Sequence, residues 1–308
     1  GQEYCAYTYD SLDRRISAKF DSEKWSYGYD EYGQLISAKN ASSKKYAYEF
    51  DKIGNRTSAL DNGVKLEYAS NSLNQYLSVK SGSNALAIDY DSYGNMTKNG
   101  EWAYTWDLQN RLVKAEKSGM VIDYTYDYAS RRIERKVTQN GTLTSHERFL
   151  FDGFNMVSKV DLVSKFSQNF TWNGMEILGV SDSNGAKYSH IKDGNKNVLF
   201  LVNDKGERVA SYAYSPFGEV TKSEGSYAQS NPYTFSSEQR DDSVGLVYYN
   251  FRYYSPKLGR WLSKDPLFDH NLQYRVNAQI KDFLDDNAFI CGSPRKLDNL
   301  NRYKGLLN

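Results

Sequence analysis

The sequence predicts an all-β protein, a solenoid of short hairpins curling into a spiral or shell wall, and three observations predict it. An aromatic residue followed by Asp recurs about every 20 residues along most of the 308-residue chain. Between these marks, Thr, Tyr, Val, Phe and Trp stand in short runs bounded by Gly, Asn, Asp and Ser, with only 5 prolines, which is the pattern of many strands joined by turns. Tyr contributes 27 residues and aromatics 15% of the chain, although the hydrophobic total is only 39%. Apolar area held in residues with a polar tip suits thin walls wetted on one side.

The repeats occupy the first two thirds of the chain. Clear copies start at Tyr9-Asp10, Tyr29-Asp30, Phe50-Asp51, Tyr90-Asp91, Trp106-Asp107, Tyr126-Asp127 and Phe151-Asp152. Looser ones start at Ser70-Asn71, Trp172-Asn173 and Tyr214-Ser215, with a degenerate copy near Asp193-Gly194-Asn195. An Asp or Asn closing the first strand accepts hydrogen bonds from amides two residues on, and the Gly or Asn that follows tolerates positive φ. The turn then fixes the register of the two strands. One hairpin alone is marginal; stacked, each covers its neighbours' edges and aromatic faces. About eleven units of two strands at ~4.8 Å give a ribbon of roughly 105 Å. Closed into a ring it would be near ~34 Å across, as wide as one small domain. The expectation is therefore an open spiral belonging to a longer shell, or a small barrel-like assembly plugged by residues 220–308.

These units resemble the YD repeats of bacterial Rhs proteins, of the shell subunits of insecticidal toxin complexes and of animal teneurins. A sharper resemblance covers residues 212–266. Tyr212-Ala213-Tyr214-Ser215-Pro216-Phe217-Gly218, then Gly245-Leu246-Val247-Tyr248-Tyr249-Asn250-Phe251-Arg252-Tyr253-Tyr254, then Gly259-Arg260-Trp261-Leu262-Ser263-Lys264-Asp265-Pro266 look like the Rhs-associated core. The organisation expected is a repeat wall over 1–211, a core or plug segment over 212–268 and a variable tail over 269–308.

In that family the core closes one end of the shell and, in many members, cuts the chain downstream by an aspartyl-type reaction. The resemblance assigns the family's essential Arg to Arg252 and its first catalytic Asp to Asp265. Such chemistry needs two carboxylates, one activating water and one held protonated to donate to the peptide. The second Asp-Pro-x-Gly element of the family is absent here, and Leu267-Phe268 stand where a Gly is usual. Asp282, Asp285, Asp286 and Asp298 are partners by proximity in sequence only, and solvated charge is their simpler reading.

In the tail, Leu272, Val276, Ile280, Phe283 and Leu284 keep helical spacing behind Asn271, so an amphipathic helix is expected over 271–284. Asn299-Leu300-Asn301-Arg302-Tyr303 resembles a string that follows the core in many relatives.

Charge is balanced, with 39 basic and 38 acidic residues, so no field gathers nucleic acid or anionic lipid. No stretch approaches the ~18 apolar residues of a membrane span, and residues 1–15 read as strand and not as a secretion signal, as in a chain that begins inside a repeat array. Cys5 and Cys291 read as two unpaired small hydrophobes, with a disulfide left open. His146, His190 and His270 are dispersed, without metal-ligand spacing, and no cofactor is expected.

The function expected is the shell of an Rhs-type polymorphic toxin, secreted or on a bacterial surface, that encloses, carries or presents a C-terminal effector polypeptide. Its partners would be that effector, other parts of a longer shell and delivery-system proteins. Two alternatives stand beside it. One is a single-turnover aspartyl autoprotease built on Asp265 and Arg252; the other is an adhesin whose aromatic wall binds glycans or partner proteins.

Overall fold

The computed structural model describes residues 5–20, 23–41 and 44–266. Among them, 22 strands, from β1 (Cys5–Tyr9) to β22 (Val220–Glu224), follow one another as a single antiparallel meander. That makes eleven hairpins, the number counted from the repeats. Glycan binding by an aromatic wall is not needed to explain the rings: Trp25, Tyr46, Tyr48, Tyr68, Tyr104 and Tyr124 are buried in one face of the sheet, alternating with exposed neighbours.

The repeat chemistry is visible at most of the tight turns, whereas those at Asp152 and Asn173 are closed by direct pairing of Asp152 with Asn155 and Asn173 with Glu176. At the first, Asp10 Oδ1 accepts the amides of Leu12 at 3.0 Å and Arg14 at 2.9 Å, and Asp13 carries φ of 57°. Asp51 and Asp91 do the same for the amides two and four residues on, with Gly54 and Gly94 at φ 87° in the left-handed position. The residue four after Asp is chosen to reach sideways. Arg14, Arg111 and Arg131 each pair with their own turn's Asp and donate to a backbone carbonyl of the next hairpin, those of Asp30, Asp127 and Gly153.

The aromatic before the Asp has a polar tip for a similar reason. Tyr29, Tyr126 and Tyr214 donate their hydroxyls, and Trp106 and Trp172 their indole N–H groups, to carbonyls of the preceding hairpin (Arg15, Leu112, Val198, Met96 and Met156) at 2.6–2.9 Å. Each ring thus buries its body between two hairpins and satisfies a carbonyl left over at the turn.

That carbonyl is left over because every hairpin is bulged at the same place. Thr8 pairs with Ser17 but Tyr9 with Arg15, so Ile16 has no opposite number; Ile36, Leu77, Val113 and Ile133 hold the equivalent position. One extra residue per hairpin, always on the second strand, bends and twists the sheet in the same sense eleven times. The sheet stays unclosed: β1 and β22 do not pair. Its early and late hairpins nevertheless meet through side chains. Gly194 donates to the Tyr7 hydroxyl at 2.7 Å, Arg15 to Asn195 at 3.0 Å and Lys44 to Thr221 at 3.3 Å.

A second, four-stranded sheet packs on the buried face of the first. It comprises β23 (Gln239–Asp241), β24 (Leu246–Tyr249), β25 (Arg252–Ser255) and β26 (Arg260–Trp261). Leu246, Tyr248, Tyr253, Leu258 and Leu262 share one core with Ala38, Tyr48, Met96, Leu112, Ile122 and Tyr124 of the wall. Backbone bonds also join the wall to the segments flanking the inner sheet, Met96 donating to Leu262 at 2.7 Å and Val198 to Thr234 at 2.9 Å. The helix expected over 271–284 lies outside the described residues, as do Asp282, Asp285, Asp286, Asp298, His270 and Cys291; the short turn at Phe235–Ser237 is the one helical element among the described residues.

Candidate functional site

Arg252 and Asp265 are brought together. Arg252 starts β25 and Asp265 lies four residues beyond β26; the chain doubles back so that Nη2 of Arg252 stands 3.3 Å from Oδ2 of Asp265, both side chains almost fully buried. The Trp261 ring lies 4.0 Å under the guanidinium. Burial pushes the Arg252 guanidinium below its ordinary value, and the Asp265 charge opposes that shift.

The pair lines a cavity of about 1120 Å³ between the inner sheet, the first hairpins (Trp25, Tyr27, Tyr29) and the late turn at Asp193. Pro266, the last described residue, is on its wall. Glu238, a residue that sequence reasoning passed over, lines the same cavity. Gln239 pairs with Tyr248 and Tyr249 with Arg252, so Glu238, Tyr249 and Arg252 form one cross-strand row, with Glu238 and Arg252 roughly 10 Å apart at their backbones. Burial raises the Glu238 carboxyl to about 8, with Lys196 opposing. The cavity therefore holds one carboxyl group paired with an arginine and a second whose proton burial holds more tightly than usual, an asymmetric pair of the kind acid–base hydrolysis uses. No sequence signal marks Glu238, because its environment is made by strands that pair only after the sheet has folded.

A second charged feature lies outside the cavity and acts as a clamp. Asp241, with 0% side-chain exposure, receives Arg135 through Nε at 2.8 Å and Nη2 at 2.7 Å, and the Tyr124 hydroxyl at 2.9 Å; Arg132 Nη1 stands 3.5 Å away. Burial alone would raise the Asp241 carboxyl, but the two arginines overcome it and hold the carboxyl below its usual range. Arg132 also donates to the Tyr253 hydroxyl at 3.1 Å and lies 4.4 Å from the Tyr248 ring. Inner sheet and wall are thus joined by a paired, hydrogen-bonded charge cluster.

The two described histidines bond neighbouring side chains: His146 bonds Glu134 at 2.6 Å, and His190 is buried against Asn231 at 3.0 Å. Among the described residues no group of His, Cys, Asp or Glu could hold a metal ion, and Cys5 is unpaired. No helix among them is long and apolar enough to cross a membrane.

The chain is similar to several known proteins. The chain is 32% identical over 202 residues to the tRNA3(Ser)-specific nuclease WapA of Bacillus spizizenii, covering 64% of this chain and 8% of that protein. It is 26% identical over 303 residues to the double-stranded DNA deaminase toxin A of Burkholderia cenocepacia, covering 87% and 21%. Toxin subunit YenC1 of Yersinia entomophaga is 28% identical over 189 residues, 53% and 19% of the two chains. The crystal structure of TcdB2-TccC3-TEV superposes with a TM-score of 0.45 at 16% identity, covering 85% of this chain and 18% of that one. The chain spans 8% to 21% of the length of these three relatives. A family model described as Teneurin YD-shell matches residues 5–284, so the chain belongs to the YD-shell family.

Proposed function

We propose that this chain is a wall segment of a bacterial polymorphic-toxin shell that encloses or presents the polypeptide following Pro266. In this reading residues 1–211 form the wall, 212–268 the plug and 269–308 the start of the enclosed or presented tail. The meander curls as one course of a spiral, its partners are the effector and other parts of a longer shell, and the assembled protein is secreted or displayed on the cell. The single observation that carries it is the position of Pro266: the chain leaves the inner sheet on the wall of the large cavity, facing the first hairpins. The relatives named as toxins support the same reading. The test is limited proteolysis of the chain extended by a compact domain after residue 308. Protection of that domain, lost when the wall is destabilised, supports enclosure; equal cleavage with and without an intact wall refutes it.

A second reading is favoured by the Arg252–Asp265 pair, which has the burial and cavity access of a reactive group. Asp265 takes a proton from water, the water oxygen attacks a peptide carbonyl carbon downstream, and a neutral carboxyl gives its proton to the departing amide nitrogen. Glu238 supplies such a carboxyl here. The extended chain is followed by mass spectrometry: a new C-terminus in the wild type, absent in Asp265→Asn, supports cleavage, and a wild-type chain that remains intact defeats it.

A further inference from the structure

Asp265 and Pro266 form the one Asp-Pro pair in the chain. The peptide bond to a proline is a tertiary amide, whose nitrogen is more basic than that of an ordinary peptide and leaves more readily once it takes up a proton. The carboxylate of the preceding Asp reaches its own backbone carbonyl carbon by closing a five-membered ring. An Asp-Pro bond thus carries its own nucleophile, electrophile and leaving group. What it needs from a fold is a group that fixes the carboxylate, a proton donor and shelter from bulk water.

The inner sheet provides these. Tyr249 lies opposite Arg252 and Tyr254 opposite Trp261, so the four share one face with Glu238, and that face lines the cavity. The rings of Tyr249 and Tyr254 meet that of Trp261 edge-on at 4.9 and 5.4 Å, which makes an aromatic floor. Arg252, 4.0 Å from the Trp261 ring, stands 3.3 Å from the carboxyl of Asp265, a side chain only 5% exposed. Asp265 and Pro266 both line the cavity, as does Glu238, whose proton burial holds more tightly than usual.

We propose that this site cuts the chain at its own Asp265–Pro266 bond, with Asp265 as nucleophile, Arg252 positioning it and Glu238 giving the proton. The inference rests on reading Arg252 and Asp265 as a reactive pair, but it changes the bond attacked and dispenses with the second aspartate that the sequence lacks. A carboxylate oxygen of Asp265 attacks the carbonyl carbon of the same residue and a C–O bond forms. The bond from that carbon to the Pro266 nitrogen breaks, its electron pair stays on nitrogen, and the nitrogen takes the Glu238 proton. Water then opens the cyclic anhydride; its oxygen ends in a carboxylate of Asp265, one proton returns to Glu238 and the other goes to the freed Pro266 amine. The guanidinium of Arg252 is left beside both carboxylates of the new terminus, a planar fork suited to them.

The test is intact-mass spectrometry of the purified whole chain incubated over a series of pH values. Two products are expected, one ending at Asp265 and one beginning at Pro266. Hydroxylamine present during the reaction intercepts the anhydride and leaves a hydroxamate on the first product. Asp265→Glu keeps a carboxylate but misplaces it and slows the cut at least ~100-fold. Glu238→Gln slows it ~100-fold and removes the fall in rate at alkaline pH. Pro266→Ala also slows it, because a secondary amide nitrogen is the poorer leaving group; this variant leaves every charge of the cavity in place and carries the test if the other two misfold. Products joined at a bond beyond Pro266 overturn the proposal and leave the water mechanism standing, whereas an intact wild-type chain overturns both. A cut at Asp265–Pro266 that yields no hydroxamate and is as fast in Pro266→Ala also overturns it.

Discussion

Replacing Asp241 by Ala tests whether the inner sheet is held by charge or only by packing. The carboxylate is the ion-pair partner of Arg132 and one of two for Arg135, whose other contact is Glu147 at 3.0 Å. Removing it leaves the Arg132 guanidinium, 1% exposed, without a counter-charge among the described residues, and leaves the buried Tyr124 hydroxyl without its acceptor. Breaking a buried pair in this way costs about 3–5 kcal/mol. In a chain of this size each kcal/mol lowers Tm by roughly 2–4 °C, so a fall of about 6–20 °C is expected. Urea unfolding followed by near-ultraviolet circular dichroism gives the free energy, and hydrogen exchange at β23–β25 shows whether the inner sheet loosens first. The companion variant Arg132→Met, Arg135→Leu, Asp241→Leu removes all three charges and is expected within about 1–2 kcal/mol of the wild type, because no uncompensated charge remains. A loss below about 1 kcal/mol for Asp241→Ala would falsify the clamp, as would a triple variant as unstable as the single one.

Smaller perturbations test the other parts. Asp51→Ala removes three hydrogen bonds from one turn, two from amides and one from the Asn55 side chain; about 1–2 kcal/mol is expected by thermal melting, without change in the remaining hairpins. Gly218→Ala puts a methyl group 2.5 Å from the Phe235 ring at a φ of 91°, so it should destabilise by more than about 2 kcal/mol, whereas Gly33→Ala, with open space at φ 80°, costs only about 1 kcal/mol; equal effects would refute the packing of Phe235. Stability should fall at both ends of the neutral range. Glu238, raised to about 8, binds its proton more tightly folded than unfolded, so its contribution is present below about 4.5 and is lost as pH rises toward 8. His190, lowered to about 4 by burial, contributes above its unfolded value of 6.5 and that contribution is lost as pH falls toward 4. Glu238→Gln should flatten the alkaline limb and leave the acid limb, which urea titrations at a series of pH values will read.

The local unit was legible in the sequence because everything that defines it lies within five residues. Asp10, the tip, the left-handed residue and Arg14 make a closed set of hydrogen bonds whose donors and acceptors are adjacent in the chain, and repetition at a near-constant period multiplied that weak signal. The resemblance around Arg252 and Asp265 likewise marked two residues that stand together. The sequence did not announce the bulge at Ile16 and its equivalents, since the carbonyl beside it is satisfied by an aromatic of the next hairpin, a partner that only the stacked sheet supplies. Nor did it separate Arg131, which caps a turn, from Arg132, which enters the core; only the bend accumulated over many hairpins brings Asp241 to one of them across more than a hundred residues. Glu238 and His190 take their shifted protonation from the same long-range burial. The sequence by itself thus determined the hairpins, their turns and their number, because those depend on neighbours along the chain. What lies inside and which charges meet there were decided by tertiary structure, where small repeated curvatures add up to contacts that no local pattern contains.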